Sequence, residues 1–287
     1  ISIFVCMATK AMHLELVTKL STEAFLSAFD CFVSRRGLPT DMYSDCGTNF
    51  IGTANQLKEW WGWFSQTSTQ DAILQYSSKY GVEWHFNPPY SPHFGGLWEA
   101  GVRSVKQRLN KVVGDARLTF EELHSVLCKI EAILNSRPLC PLSNDPGDLA
   151  FLSPGHFLVG GPLLAIPEPS TLDVKENLLS RWQLVRRLAA EFWQRWKREY
   201  LCTLQHRVKW TRDHPNLQVG DLVLLREDNT PPMHWPLARV IETHPGSDGV
   251  VRVVTIKTPC STFKRSVVKL VPLLPIASPS YDPPEKF

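Results

Sequence analysis

Two carboxylates, Asp45 and Glu99, occupy positions from which they could reach one metal ion. Asp45 ends a short predicted strand and precedes the turn at Gly47. Glu99 follows the flexible pair Gly95-Gly96 and falls in the first turn of a predicted helix, where the helix dipole favours negative charge. Carboxylate oxygens are ligands that Mg²⁺ prefers. The alternative interpretation is structural, with Asp45 as a turn residue and Glu99 as a helix-start residue.

Four basic residues follow Glu99 on the same predicted helix and could contact DNA phosphates: Arg103, Lys106, Arg108 and Lys111. Arg103 lies one turn beyond Glu99 and Lys106 two turns beyond it, so these three residues share a helix face. A solvated charged face is the alternative interpretation of the same pattern. The expected partner of this helix is therefore DNA if the carboxylates bind metal, and solvent if they do not.

The histidines and cysteines indicate neither a nucleophile nor a second metal site. His13, His85 and His93 are interpreted as structural or DNA-facing, because hard Mg²⁺ sites prefer oxygen ligands. The seven cysteines form no Cys-x-x-Cys pair, and we expect free buried thiols in a reducing compartment.

Composition excludes some classes of protein and leaves others open. With 43% hydrophobic and 21% charged residues, the 287-residue chain is predicted to be globular. A net charge of +3 is too small to indicate nucleic-acid binding, which must be argued from local basic clusters. No apolar run reaches the roughly 18–20 residues of a membrane span, and no signal peptide is evident. We therefore expect no membrane partner.

Strands and helices alternate in the first half of the chain, which predicts an α/β fold. Ser21 is an expected helix N-cap, and Thr119 with Glu122 forms an expected capping box. The predicted strands are 2–7, 12–18, 41–44 and 82–86, and the predicted helices are one between Ser21 and Gly37, one within 53–80, one from Trp98 and one ending before Pro138.

The second half is expected to contain a Pro-rich linker at 138–175, a basic and aromatic helix within 176–215, a small β-barrel at 216–274 and a disordered tail at 275–287. A basic helix leading into a barrel fits a module that binds the DNA backbone, and a packing helix with a solvated face is nearly as well supported. The expected buried stripe of the helix is Trp182, Phe192, Trp193, Trp196 and Tyr200. The expected barrel core includes Val219, Leu222, Leu224, Val240, Val251 and Val253.

Several sequence runs resemble one family of mobile elements. The run Tyr43–Phe50 (YSDCGTNF) and the run Pro88–Glu99 (PPYSPHFGGLWE) resemble the second and third carboxylate motifs of BEL/Pao retrotransposon integrases. Further similar runs are Ala8–Val17 (ATKAMHLELV), Asn135–Leu139 (NSRPL), Arg195–Leu201 (RWKREYL) and Val219–Leu224 (VGDLVL). The resemblance extends from residue 1 to about residue 274, with the runs in the same order.

The resemblance implies an RNase H-like catalytic core over 1–137, with a D,D,E triad and two Mg²⁺ ions (Mn²⁺ is possible). It also implies that the barrel at 216–274 is a separate, SH3-like module. Asp45 and Glu99 are then the second and third carboxylates. The family's first Asp would lie before Ile1, so the core is expected to lack its first strand, and Asp30 and Asp41 are poor substitutes. Cys46 departs from the polar amide that the family usually has there.

The function implied is DNA integration by a polynucleotidyl transferase, which trims DNA 3′ ends and joins them to target DNA. The implied partners are element-end and target DNA and further copies of the chain, with no small-molecule cofactor. The integration step would be nuclear, after a cytoplasmic stage in particles. The alternatives are a non-catalytic nucleic-acid or chromatin-binding remnant and, less well supported, an RNase H-type nuclease. As given, the chain is expected to bind DNA without cutting it.

Overall fold

The computed structural model is a mixed α/β protein that divides into two compact units. The first unit comprises Ile1–Asn110 and Asp115–Glu131, and the second comprises Lys111–Gly114 and Ala132–Phe287. The residues that the structure describes are 1–19, 21–44, 55, 81–86, 96–143, 145–166, 174, 179–204, 216–228 and 230–273, with backbone alone at 86 and 96–104. None of the described helices combines the length and the apolar composition that crossing a membrane requires.

The first unit begins with an antiparallel hairpin. Strand β1 (Ser2–Val5) pairs with β2 (Met12–Glu15), and the turn between them closes through a hydrogen bond from the Cys6 amide to the Ala11 carbonyl, 2.8 Å. Lys10 in this turn has a positive φ of 59°. Both strands lie within the predicted ranges.

Helix α1 (Thr22–Arg36) follows, with the predicted cap. The Ser21 hydroxyl accepts a hydrogen bond from the Ala24 amide at 3.2 Å, which satisfies one of the free N–H groups of the first turn. Gly37, with a φ of +90°, ends the helix.

Aromatic packing joins α1 to the strands. The Phe4 ring stacks on Phe32 with centroids 4.4 Å apart, and it also contacts Phe25 and Phe29. Phe25 and Phe29 in turn contact Trp84. The core of the first unit is thus built on one face of α1.

Strand β3 (Asp41–Ser44) pairs in parallel with β4 (Glu83–Phe86), although the chain between them spans residues 45–82. The register places Asp41 beside Glu83 and Ser44 beside Phe86. The helix predicted within 53–80 lies outside the described residues, apart from Asn55, which is helical.

Two helices follow. Helix α2 (Gly96–Val113) begins two residues before the predicted start at Trp98. Helix α3 (Phe120–Asn135) has the predicted capping box: the Thr119 amide donates to Glu122 Oε2 at 2.8 Å, and the Glu122 amide donates to Thr119 Oγ1 at 3.3 Å. The buried apolar residues of α3 are Val126, Leu127, Ile130, Ile133 and Leu134, which share one face of the helix, and Asn135 is buried as well.

In the second unit, the segment predicted as a linker contains regular structure. Strands β5 (Cys140–Pro141) and β6 (Phe151–Leu152) pair in antiparallel fashion, and α4 (Pro154–Val159) follows with Ser153 as its cap. The prolines that suggested a linker are compatible with this structure because Pro154 occupies the first turn of α4, where no backbone N–H is needed.

The long helix α5 spans Arg181–Leu204. It precedes a five-stranded antiparallel sheet in the order β10–β9–β8–β7–β11. The strands are β7 (Leu222–Leu225), β8 (Leu237–Pro245), β9 (Val251–Lys257), β10 (Thr262–Ser266) and β11 (Leu270–Pro272), with a short 3₁₀ turn at Val267–Lys269.

The sequence predicted a separate barrel, but this sheet and α5 belong to the same unit. The Trp193 indole donates to the Thr230 carbonyl at 2.9 Å, and its ring meets Trp235 edge-on with centroids 4.8 Å apart. All four residues of β7 are buried. Helix and sheet therefore share a core.

Two expected core residues of the sheet are exposed. Val219 is 62% exposed because it lies in the turn before β7, and Val253 is 38% exposed. Register shifts in the β8–β9 pair change the alternation along β9, so that Val254 and Ile256 face the core instead. The other expected core residues, Leu222, Leu224, Val240 and Val251, are all buried. Only Val240 and Val251 belong to the core cluster of the sheet, to which β7 contributes Val223 and Leu225 in place of Leu222 and Leu224.

Candidate functional site

Of the two predicted catalytic carboxylates, the structure describes the backbone of Glu99 but not Asp45. Asp45 directly follows the last residue of β3 and lies outside the described residues. Glu99 is the fourth residue of α2, so its predicted position in the first turn of a helix is confirmed for the backbone. The distance between their carboxyl groups stays a prediction.

Strand β3 ends at Ser44, the residue before Asp45. Ser44 is buried, and its hydroxyl accepts a hydrogen bond of 2.8 Å from the Trp84 indole N–H. Because β3 and β4 are parallel and Ser44 is the register partner of Phe86, both strands end at the same edge of the ladder. Asp45 and the segment that leads to Glu99 therefore follow strand ends that lie side by side.

The basic residues of α2 fall on different sides of the helix. At about 100° per residue, Arg103 and Lys106 lie within about 40° of Glu99, whereas Arg108 lies about 180° away. Lys106 and Lys111 are exposed, and Arg108 is half-buried.

The buried face of α2 explains the position of Arg108. Val105, Leu109 and Val112 are buried and define this face, which borders Arg108, whereas Lys106 on the Glu99 side is exposed. Exposed Lys106 is thus the described residue best placed for phosphate contact beside Glu99. The side chain of Arg103 lies outside the described residues.

A group of three possible metal ligands lies on the open face of the β3–β4 ladder. Single ligand atoms of Asp41, Glu83 and His85 all fall within 4.8 Å of one another. His85 Nε2 is 2.9 Å from Asp41 Oδ1, and the His85 ring stacks on Tyr43 with centroids 4.6 Å apart. Hydrogen bonds from His85 and Thr40 hold the pKa of the Asp41 carboxyl below its ordinary value.

Sequence patterns did not single out this group as a site. Asp41 was considered only as a substitute for the first carboxylate, and His85 was interpreted as structural or DNA-facing. The available signal was the alternation of Asp41 with Tyr43 and of Glu83 with His85, which puts all four on one face once the strand register is known.

His13 is structural, as interpreted from the sequence. Its side chain is buried, with Nε2 2.9 Å from Glu15 Oε1 and Nδ1 3.3 Å from Glu131 Oε2. Arg36 forms an ion pair with Glu131, and its Nε lies 3.3 Å from His13 Nδ1. Arg35 pairs with Glu15 in the same way. The group ties β2 to helices α1 and α3.

The carboxyl of Glu131 is the acceptor at the centre of this group. Burial alone would raise its pKa, but hydrogen bonds from His13 and from the Leu14 amide, with the charge of Arg36, hold the pKa below its ordinary value. Glu131 is therefore kept ionised. His93, the third histidine considered, lies outside the described residues.

One basic residue of helix α5, Lys197, makes its hydrogen bonds inside the protein. Lys197 is only 4% exposed, and its ammonium donates to the Glu227 carbonyl and to Thr230 Oγ1, both at 2.7 Å. Burial lowers its pKa, against the charges of Asp228 and Glu227. Lys197 is consequently a packing residue and is not available to DNA.

Other basic residues of α5 face solvent or nearby acids. Arg187 pairs with Glu191 at 2.8 Å, whereas Arg181, Arg195 and Arg198 are exposed. Three further basic residues of the 176–215 segment, Arg207, Lys209 and Arg212, lie outside the described residues.

The aromatic stripe of α5 is confirmed except at its start. Trp182 is 61% exposed, because it precedes the buried residues that begin at Leu184. Phe192, Trp193 and Trp196 are buried, and Trp196 stacks on Tyr200 with centroids 5.1 Å apart.

Comparison with known proteins gives a limited result. Residues 180–273, about a third of the chain, match the model of a family of unknown function, DUF5641. No curated protein matches the chain. The chain is similar to a simian T-cell lymphotropic virus intasome, solved by cryo-electron microscopy in complex with PP2A regulatory subunit B56 gamma. That similarity has a TM-score of 0.36 and 12% sequence identity, over 95% of this chain and 71% of that chain. So low a TM-score does not establish a shared fold.

Proposed function

We propose that this chain is part of a metal-dependent DNA integrase related to those of BEL/Pao retrotransposons, with Asp45 and Glu99 as two of its metal ligands. The observation that carries the proposal is the parallel pairing of β3 with β4. This pairing is compatible with an RNase H-like core, which remains part of the proposal.

The strand order supports convergence of the two carboxylates. Parallel strands need a long connection, and here residues 45–82 supply it. The ends of β3 and β4 lie side by side, so Asp45 starts from the same edge as the segment that leads to α2. Ligand groups commonly gather outside the carboxyl ends of parallel strands. Glu99, near the N-terminus of α2, would complete the pair.

The residues fit a hard divalent cation by their chemistry. Asp45 and Glu99 supply carboxylate oxygens, which Mg²⁺ and Mn²⁺ accept. When bound, the ions would activate a water or a DNA 3′-hydroxyl and stabilise the leaving oxygen. Lys106, exposed on the Glu99 side of α2, would hold a DNA phosphate near the site, and its contact would not depend on the metal.

A second candidate function is binding of nucleic acid without catalysis. The observation in its favour is Cys46, which stands beside Asp45 where the family usually has a polar amide. The exposed basic residues Lys106 and Lys111 would serve binding alone.

An end-joining assay distinguishes the two functions. A protein that contains this chain is incubated with short duplex DNA and Mg²⁺ or Mn²⁺, and trimmed and joined products are resolved on a gel. We expect products that disappear in Asp45→Asn and in Glu99→Gln, while a mobility-shift assay shows unchanged DNA binding. Products that survive both substitutions would contradict the site. DNA binding with no products from any variant would favour the non-catalytic function.

A further inference from the structure

The open face of the β3–β4 ladder carries the three possible metal ligands and one aromatic ring. Successive residues of a strand point to opposite faces, so Asp41 and Tyr43 share a face, as do Glu83 and His85. The register aligns Asp41 with Glu83 and Tyr43 with His85, which places all four on the same face. The opposite face carries Trp84, which is buried against α1.

The spacing of the three ligand atoms is close to that of ligands on one ion. They lie within 4.8 Å of one another, and His85 Nε2 is already 2.9 Å from Asp41 Oδ1. Two ligands at about 2.0–2.1 Å from a tetrahedral ion lie roughly 3.4 Å apart. Small side-chain rotations would therefore bring Asp41, Glu83 and His85 onto one ion, without movement of the strands.

The chemistry of the group selects a borderline metal. An imidazole nitrogen with two carboxylates is a donor set for Zn²⁺, whereas Mg²⁺ takes oxygen ligands and keeps much of its water. Asp41 and Glu83 are exposed, so water can take the fourth position. Stacking on Tyr43 fixes the plane of the His85 ring and lowers the entropic cost of ordering it.

A simple ion pair between His85 and Asp41 does not account for Glu83. The His85–Asp41 contact uses one carboxylate, and no hydrogen bond or ion pair of the Glu83 side chain occurs within the part of the chain that the structure describes. A second carboxylate therefore stands next to the pair without compensation. A divalent cation would neutralise both carboxylates at once.

We propose that Asp41, Glu83 and His85 form a surface Zn²⁺ site. It uses neither Asp45 nor Glu99 and does not depend on the function proposed above.

The test is titration of the metal-free chain with Zn²⁺ by isothermal calorimetry. The thiols are first alkylated, because described cysteines such as Cys6 and Cys31 are free but exposed, not buried as predicted, and would bind zinc themselves. Glu83→Gln is the main variant, since it removes a ligand and leaves the His85–Asp41 contact in place. His244→Gln is the matched control, because His244 lies 3.7 Å from Glu242 in a pair that has no third ligand among the described residues.

We expect one zinc equivalent to bind to the chain, to His244→Gln and to Asp45→Asn. The Kd should rise at least about tenfold in Glu83→Gln and in His85→Gln. Circular dichroism checks that each variant is folded. Absence of zinc binding by the unsubstituted chain, or an unchanged Kd in folded Glu83→Gln, would overturn the proposal. Loss of zinc in Asp45→Asn with an unchanged Kd in Glu83→Gln would assign the ion to the integrase site instead.

Discussion

The indole N–H of Trp84 donates a hydrogen bond to the hydroxyl of Ser44, 2.8 Å away and buried between β3 and β4. This bond fixes the last residue of β3 before Asp45. Ser44→Ala leaves the buried indole N–H without this acceptor, and we expect it to lower the free energy of unfolding by about 1–3 kcal/mol. Urea denaturation measures the loss.

A double-mutant cycle separates this bond from the loss of volume in Trp84→Phe. The effect of Ser44→Ala should be smaller in the Trp84→Phe background, since the donor is already absent. Additive effects would show that the bond contributes nothing to stability. Ser27→Ala, at an exposed serine on α1, serves as the control.

Lys197 holds the segment before β8 against α5 through two hydrogen bonds of its buried ammonium. Lys197→Ala removes the donor shared by the Glu227 carbonyl and Thr230 Oγ1, and we expect a loss of about 2–3 kcal/mol in the free energy of unfolding. Arg195→Ala, an exposed neighbour on the same helix, should change stability by less than about 0.5 kcal/mol. Equal urea midpoints for the two variants would contradict the assignment of Lys197 to the core.

Burial raises the pKa of Tyr200 to about 12, and its hydroxyl donates to the Pro138 carbonyl at 2.8 Å. Because the folded pKa lies above the ordinary value near 10, the contribution of the neutral phenol is complete below pH 10. It is lost as the pH rises toward 12. A shift of this size corresponds to roughly 2–3 kcal/mol.

Between about pH 10 and pH 11.5, the free energy of unfolding should therefore fall less in Tyr200→Phe than in the unsubstituted chain. Urea midpoints at several pH values measure this difference. Tyr43→Phe, at an exposed tyrosine, is the matched control and should follow the unsubstituted chain. If Tyr200→Phe follows it too, the phenol is not held neutral by the fold.

Glu131 gives the opposite dependence on pH. Its pKa is held below the ordinary value of about 4.5, so its contribution is present above that pH and is lost as the pH falls through the folded pKa. Glu131→Gln should be less stable at neutral pH and show a shallower loss of stability below pH 4.5. Glu23→Gln, exposed at the start of α1, should keep the acid dependence of the unsubstituted chain. Thermal unfolding across pH 3–7 measures both.

The basic side of α2 predicts a salt effect on DNA binding. Replacing Arg103 and Lys106 by Ala should weaken binding and reduce the slope of log K against log salt by up to about two units, one for each phosphate contact. Lys19→Ala, an exposed lysine elsewhere in the first unit, should leave the slope unchanged. Fluorescence anisotropy at several salt concentrations measures the slope. Unchanged DNA binding in the double variant would show that this basic face of α2 is solvated and does not contact DNA.

Local signals predicted much of the fold. Ser21 and the pair Thr119 and Glu122 marked helix starts correctly, because a cap bonds to residues two or three positions away. The prediction that Val253 lies in the core was wrong, because register shifts between β8 and β9 decide which residues of β9 face the core. Those shifts depend on a partner strand and are not encoded in the alternation of β9 itself.

The candidate sites show the same limit of sequence patterns. The position of Glu99 in a first helical turn followed from its flanking residues. The proximity of Asp41 to His85 did not, because it depends on the register of two strands that are joined by residues 45–82. Likewise, the sequence shows Lys197 only as one basic residue of a basic helix. Its burial follows from hydrogen bonds to residues 227 and 230, which lie far along the chain.

The parallel pair β3–β4 also determines how the chain reaches its native state. Residues 45–82 must close into a loop before any β3–β4 contact forms, so this pair has a high entropic barrier. The sheet of the second unit pairs β7, β8, β9 and β10 in sequence through short connections. We expect hydrogen-exchange protection during refolding to appear first in β8 and β9 and later in β3 and β4. The edge from which Asp45 starts would then be among the last parts of the molecule to form.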